Sequence, residues 1–354
     1  MRHDDGDIDV RTGRLPLRLA VVIPACNVER EIARVILSVP AWVRHVLVVE
    51  DGSRDGTAEV ACGLIDQRAG LEVLRHPVNQ GVGAAMVTGF RRAQALGSDF
   101  VVKLDGDGQM DPIHLPGLLR PLVEGRADYA KGNRFGHLRD LARMPRKRLW
   151  GNVALTFLTK LASGYWHVFD AQNGYVAITA RGLRALSLDR VERGYAFENS
   201  MLSLLNVEGF AVADVAMPAV YGTEISNMKL PRIMVSFPPK LIWMFLRRVF
   251  MRYVLYDVSP IAAYLAAGGL LGSFGLVFGG LHWWRSIATG APATSGTVLL
   301  AVLPLLMAFD LLLHAVNLDI AQTPKMRPPV RHASERDVPA LFGMGAPAVE
   351  NPGE

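Results

Sequence analysis

From Pro260 to Trp284 the chain runs for 25 residues without an aspartate, glutamate, lysine or arginine. At about 1.5 Å per residue a helix of that length exceeds the roughly 30 Å of a bilayer's hydrocarbon core, so the run predicts a transmembrane helix. A second apolar run from Thr297 to Leu318 holds one acid, Asp310, and the loop between the two is too short to hold a domain. The two read as a hairpin over 258–320 whose ends lie on one side. Arg247, Arg248 and Arg252 precede it, Lys325, Arg327 and Arg331 follow it, and only Arg285 lies between. That bias predicts a multi-pass protein of an inner (cytoplasmic) membrane with both termini cytoplasmic. A buried hairpin in a soluble protein is the alternative, and the length and chargelessness of the first run argue against it.

Half the residues are hydrophobic and the net charge is +5. Such a surplus suits phosphate or a membrane surface and is too small to indicate nucleic acid. Two cysteines, Cys26 and Cys62, cannot build a disulfide framework or, without a nearby CxxC or His cluster, a zinc site, which fits a reducing compartment. Residues 1–17 are polar and lack the cationic start and apolar core of a signal peptide, so they read as a disordered N-terminus. Over 231–257, Phe237, Trp243, Phe250 and Tyr253 mix with Lys240, Arg247, Arg248 and Arg252, a composition expected of interfacial amphipathic helices with aromatics toward the acyl chains and cations toward lipid phosphates. The proline-rich stretch 321–354 reads as a disordered tail. No internal repeat is present.

The remaining segment, 18–230, alternates short apolar runs at Leu19–Ile23, Val46–Val49, Leu71–Leu74 and Phe100–Leu104 with helical patterns. This predicts an α/β domain with a mostly parallel sheet whose ligands bind at the carboxyl ends of the strands. Polar turns fall at those ends: Pro24-Ala25-Cys26-Asn27, Glu50-Asp51-Gly52-Ser53 and Asp105-Gly106-Asp107-Gly108-Gln109. One decoy is Gly81-Val82-Gly83-Ala84, half of a dinucleotide fingerprint. It follows the third strand rather than the first and has Met86 at the third glycine place, so dehydrogenase activity is rejected.

Asp105 and Asp107, one glycine apart at a strand end with the Gln109 amide beyond, are hard oxygen donors of the kind that hold Mg²⁺ or Mn²⁺ beside a diphosphate. A solvated acidic turn is the plain alternative, but the Asp51 and Asn27 turns converge on the same sheet edge. There Asp51 would accept from a base or ribose and Asn27 would brace the pocket.

These motifs, with Asn79-Gln80-Gly81-Val82-Gly83-Ala84, resemble glycosyltransferase family two, and within it the dolichyl-phosphate mannose synthase and polyprenyl-phosphate glucosyltransferase branch, whose members add a membrane hairpin. The resemblance covers roughly 18–320 and is strongest up to Arg134. It implies a GT-A nucleotide-diphospho-sugar transferase domain, a divalent metal (Mg or Mn), and inverting transfer of one sugar from a UDP- or GDP-linked donor to a polyprenyl phosphate. It also implies donor-binding roles for Pro24, Asn27, Glu29, Asp51 and Asp105, and a metal and diphosphate role for Asp105, Asp107 and Gln109. Cys26 departs from the pattern, which usually has an aromatic residue there. Lys131-Gly132-Asn133-Arg134-Phe135 resembles the branch's G-S-R-[YF], and Asp170-Ala171-Gln172-Asn173-Gly174-Tyr175 its D-x-x-x-G-[FY]. Arg134, Arg146, Lys147 and Arg148 fall where acceptor phosphate is bound.

Asp107, Asp170 and Arg134 are therefore the expected catalytic group, with Asp170 orienting a cation. A lipid monophosphate is already mostly ionised at pH 7 and needs no strong base. Were the acceptor a lipid or glycan hydroxyl of the cell envelope, Asp170 would be the base. A processive polysaccharide synthase would carry Q-x-x-R-W and more spans, and a relic scaffold would not keep the carboxylates. Gly268 with Gly272 and Gly275 with Gly279 have the small-xxx-small spacing of packed membrane helices, which points to a homo-oligomer. Asp310 and His314, one turn apart in the second span, read as paired with each other or with a neighbouring subunit. Tyr221–Ser226 is expected to form a lid.

Overall fold

The computed structural model describes residues 17–134, 146–218, 230–330 and 332–342, without the side chains of 146–154 and 230–236. The N-terminus before residue 17, the expected lid at Tyr221–Ser226, the side chains of Arg146, Lys147 and Arg148, and residues beyond 342 lie outside this description.

The chain divides into two compact units, one drawn from residues up to Ile242 together with those from Pro324 on, the other Trp243–Thr323. In the first, β1 (Leu19–Ala25), β2 (His45–Asp51), β3 (Leu71–His76) and β4 (Phe100–Lys103) alternate with α1 (Glu29–Ser38), α2 (Thr57–Cys62) and α3 (Val82–Ala95). After them come α4 (Leu115–Val123), β5 (Tyr129–Asn133), α5 (Arg146–Ser163), β6 (Val176–Thr179), α6 (Ala180–Ala185), α7 (Phe197–Val207) and β7 (Val212–Ala216). The strands form one seven-stranded sheet in the order β3-β2-β1-β4-β6-β5-β7. β1 pairs in parallel with β2 and β4, and β6 runs antiparallel to both its neighbours.

The run of apolar residues in β1 is explained by burial on both faces. Leu19, Val21 and Ile23 pack with Ile32 and Ile36 of α1 and Leu118 of α4, while Ala20 and Val22 meet Met86 and Phe90 of α3 and Phe197 of α7. Strand ends β1, β2 and β4 thus present three turns along one edge.

The tail departs from the composition reading. Residues 327–330 and 332–342 lie along the first unit: the Arg327 guanidinium meets Asp128 at 2.7 Å, Val330 N donates to Glu124 O, and Leu17 N donates to Leu341 O at 2.9 Å. Val338 and Phe342 are buried, and the Phe342 ring packs against Trp42 and Phe100. Proline disfavours an α-helix here, and the segment ends in a short 3-10 helix, Pro339–Phe342, where Val338 and Phe342 join the core beneath β1.

α8 (Leu230–Phe250) enters the second unit and passes into a π-helical turn, Met251–Tyr256. Two long apolar helices follow, α9 (Pro260–Thr289) and α10 (Ser295–Ala321), each long and apolar enough to cross a membrane. Local chemistry sets their ends: Ser259 accepts from Ile261 N with Pro260 at the first helical position, Gly290 closes α9 at φ +66°, and Thr294 caps α10. The glycine stripe is spent inside the hairpin. A Cβ on Gly268 would stand 3.0 Å from Leu312, one on Gly272 3.4 Å from Ala308, and one on Gly275 2.9 Å from Ala301 O, so these glycines bring α9 against α10 and are no evidence for an oligomer.

Arg248 also departs from expectation. Its side chain is fully buried and bonds both Asp319 oxygens, at 2.7 and 3.0 Å, instead of facing lipid phosphate. Tyr253 donates to the same carboxylate. Sequence distance hid this pair: 71 residues separate the two charges.

Candidate active site

The turn after β1 is bolted to the turn after β2. Asn27 sits at φ +55°, a left-handed conformation that asparagine tolerates better than other side-chain-bearing residues. Its N–H donates to Ser53 Oγ at 3.1 Å and its Oδ1 accepts from Arg54 N at 2.8 Å. Glu29 accepts from Gly56 N, while its own N–H donates to Asp55. Burial alone would raise the Asp55 pKa, but hydrogen bonds from Thr57 and the Glu29 backbone bring it below its usual value.

A cavity of about 900 Å³ opens over these turns, lined among others by Cys26, Asn27, Glu29, Asp105, Asp107, Gln109, Arg134 and Asn173. Its acids are Glu29, Glu31, Asp55, Asp105, Asp107 and Asp111, against two guanidiniums, Arg30 and Arg134. Among the described residues, six carboxylates facing two guanidiniums repel a diphosphate unless a further cation intervenes.

Pro24 and Asp51 do not line this cavity. Pro24 belongs to β1, paired with Val49. Asp51 is buried, with Oδ1 taken by Gln80 N at 2.9 Å and by His76 Nδ1 at 2.7 Å, and Oδ2 by Gly81 N at 2.8 Å. These bonds tie the turn before α3 to the end of β2, and His76 continues the chain of contacts to Thr88. The decoy glycines are explained in the same place: a Cβ on Gly83 would lie 1.9 Å from Glu192 O, so Gly83 admits a close backbone crossing.

Beneath the aspartate turn lies a charge cluster that the sequence reading missed. Lys103, at the end of β4, is 2% exposed and reaches Asp105 at 2.6 Å and Glu198 of α7 at 3.4 Å. Burial alone would lower its pKa, but the two carboxylates reverse this and hold it above the ordinary value. Lys131 of β5 donates to Asn173 O, and burial lowers it to about 8. A lysine interrupting an otherwise apolar strand that ends in an acidic turn is the sequence signal for such a group.

Arg134 and Asp170 meet as a fork: Nε to Oδ2 at 2.8 Å, Nη2 to Oδ1 at 3.2 Å, with the Arg134 N–H adding a third bond. Asp170 is 2% exposed, while Arg134 lines the cavity. The turn that carries Asp170 passes so close to the aspartate loop that a Cβ on Gly174 would lie 2.3 Å from Lys103 Nζ and 2.8 Å from Asp105 Oδ2. We expect Gly174→Ala to lower turnover about a hundredfold, since displacement of a reacting group by about 1 Å costs that much. Steady-state rates measured on membranes with equal protein content check this, and a rate within twofold of the parent refutes it.

A metal fits this donor set. Among the described residues no three His, Cys, Asp or Glu side chains cluster tightly enough to complete a coordination shell. Two carboxylates and an amide suit an ion that takes its other ligands from water and a bound diphosphate. Gln109 N donates to Asp107 Oδ1 at 3.0 Å, which sets the loop's curvature.

The model of the family described as glycosyl transferase family 2 matches residues 20–186. Polyprenol monophosphomannose synthase of Mycolicibacterium smegmatis is 31% identical over 221 residues, 60% of this chain and 82% of that one. Undecaprenyl-phosphate mannosyltransferase of Micrococcus luteus is 31% identical over 190 residues, 52% of this chain and 76% of that one. The chain belongs to glycosyl transferase family 2. A further relative of this glycosyltransferase, the UDP-N-acetylglucosamine–dolichyl-phosphate N-acetylglucosaminyltransferase of Methanococcus voltae, is 27% identical over 230 residues, 61% of this chain and 91% of that one. The family 2 chain therefore has a GT-A-like α/β fold on its mostly parallel sheet, with a hairpin of two apolar helices near its C-terminal end.

Proposed function

We propose that this glycosyltransferase moves one sugar, with inversion at the anomeric carbon, from a UDP- or GDP-linked donor to a polyprenyl phosphate held in the inner membrane. The product is a polyprenyl-phosphate monosaccharide for cell-envelope synthesis. The observation that carries the reading is the cavity itself, with six carboxylates on its walls and one arginine pre-set by a buried aspartate. The names of the relatives, each pairing a sugar with a dolichyl, undecaprenyl or polyprenol carrier, agree with it.

A divalent ion, Mg²⁺ or Mn²⁺, held by Asp107 with Asp105 and Gln109, would neutralise the departing diphosphate. The rest belongs to the chain. Lys103 fixes Asp105 from below, and Asn27 and Glu29 hold the donor side of the cavity. Asp170, buried beneath the Arg134 fork, keeps that guanidinium at one place so that it can bring an acceptor dianion beside the donor. Arg146, Lys147 and Arg148 would add acceptor-binding charge. α9 and α10 would cross the bilayer with both termini cytoplasmic, and the exposed Trp243, Leu246, Phe250 and Leu255 would rest in the headgroup layer, bringing the enzyme to a lipid that cannot leave.

A hydroxyl acceptor is the second reading and needs Asp170 as its base. Its burial and bidentate partner argue against that role. Membranes incubated with labelled nucleotide sugars and polyprenyl phosphate should yield an acid-labile glycolipid; label found only on an acid-stable glycan refutes the phosphate acceptor. Arg134→Ala should raise the KM for the acceptor tenfold or more and leave that for the donor within twofold, as expected for loss of a charge-assisted hydrogen bond worth about 1.5–3 kcal/mol. Equal changes in both constants would remove Arg134 from the acceptor site.

A further inference from the structure

We propose that the outward face of α10 is a dimer interface on which the same face of a second copy of this chain packs. The inference rests on the reading that the hairpin spans the bilayer.

α10 spends one side on α9. Ala301, Leu305, Ala308 and Leu312 meet the α9 glycines. At about 100° per residue, Asp310 is two positions from both Ala308 and Leu312 and so points to the opposite side of the helix. Asn317 stands in the same relation to the buried Ala315 and Asp319. The Asp310 and His314 side chains are 69% and 59% exposed, with His314 Nδ1 3.5 Å from Asp310 Oδ1. The same nitrogen is 2.9 Å from the Asp310 carbonyl, so Nδ1 is engaged within its own helix. The ring lies 6.1 Å from that of Tyr264 on α9, at the edge of the outward face, and Nε2 is the nitrogen through which it can meet a group on another copy.

Depth makes this arrangement costly to leave against lipid. α10 has 27 residues, and Asp310 lies two past its midpoint, at Ala308. A carboxylate there would face acyl chains near the bilayer centre, where ionisable groups are expensive and are normally turned toward protein. The spacing along the face also matters. Leu303, Leu306, Asp310, Leu313 and Asn317 are separated by three, four, three and four residues, the a and d places of a heptad. All five are exposed. A heptad seam winds two helices around each other left-handedly, and polar residues at its a places fix register and partner number.

A second copy is the occupant this chemistry selects. In two copies inserted the same way and related by a two-fold axis along the membrane normal, equal positions meet at equal depth. Asp310 then faces Asp310, with His314 of each copy one turn along to neutralise the other copy's acid, and Asn317 meets Asn317. The pair is self-complementary, acid to base and base to acid. A foreign helix would have to supply both a base and an acid at matching depths.

The test uses the full chain, reconstituted at low protein-to-lipid ratio and counted by single-molecule photobleaching. The parent should be dimeric. Asp310→His and His314→Asp should each raise the dissociation constant about tenfold or more, because each breaks two symmetry-related hydrogen bonds. The double exchange, with both substitutions together, should restore the dimer, since the reciprocal pairs re-form in the opposite order. A monomeric parent, a dimer indifferent to the single changes, or failure of the exchange to restore it overturns the proposal. So does a different membrane protein recovered in equal amount with the parent and lost from Asp310→His. Alkaline carbonate extraction separates this from the underlying reading: chain released to the supernatant refutes the span itself, whereas chain retained in the pellet but monomeric refutes only the dimer.

Discussion

Asp107→Ala should remove sugar transfer, lowering turnover by about three orders of magnitude, while the chain should still fold and still reach the membrane. The size follows from what the substitution leaves behind. Preorganised charge at a departing anion is worth about 10²–10³ per group in other enzymes, and of the two loop carboxylates Asp105 is the one tied to Lys103, at 2.6 Å. Folding should be spared because Asp107 is only half-buried, on the cavity wall, and accepts from Gln109 N within its own loop. Removing divalent ions with a chelator should reproduce the defect in the parent, and adding Mn²⁺ or Mg²⁺ should restore the parent but not the variant. The measurement is transfer of labelled sugar to lipid, with far-ultraviolet circular dichroism as the folding control. Turnover in Asp107→Ala within tenfold of the parent, or full activity after chelation, would end the metal reading.

The parts of this architecture written in the sequence are those whose signal is local. β1 to β4 are legible because a strand covered on both faces must be apolar at nearly every position, and the aspartate loop because its donors lie within five residues. The two long helices are equally plain, from length and lack of charge. What escapes is pairing across the chain. Glu198 reaches Lys103 over 95 residues, and no periodicity marks either as the other's partner. Asp51 offered a carboxylate at a strand end, which is also where a ligand would bind; only the fold brings His76 and the Gln80 and Gly81 amides to occupy it. The α9 glycines show the same limit differently. Their spacing says that a helix packs closely there without saying whose helix it is.

Arg248→Met alone should destabilise the second unit by about 3–5 kcal/mol, the cost of leaving a buried carboxylate without its cation. Arg248 is fully buried and gives two hydrogen bonds to Asp319, which also receives the Tyr253 hydroxyl at 2.5 Å. Burial first, and then the neighbouring Asp319 charge, push the Tyr253 phenol up to about 12, so it remains a donor at any working pH. Replacing both charges, Arg248→Met with Asp319→Leu, should recover most of the loss, because desolvation of two ions consumes most of what their attraction returns. The double variant therefore separates a stabilising pair from a pair that merely must not be broken. Thermal unfolding in detergent, followed by size-exclusion chromatography, reads both. If Arg248→Met costs less than about 1 kcal/mol, within the range of an exposed pair, the guanidinium is solvated and Asp319 is not sealed with it. If the double change is as damaging as the single one, the hydrogen-bonded geometry itself, joining the end of α8 to the end of α10, is what the second unit requires.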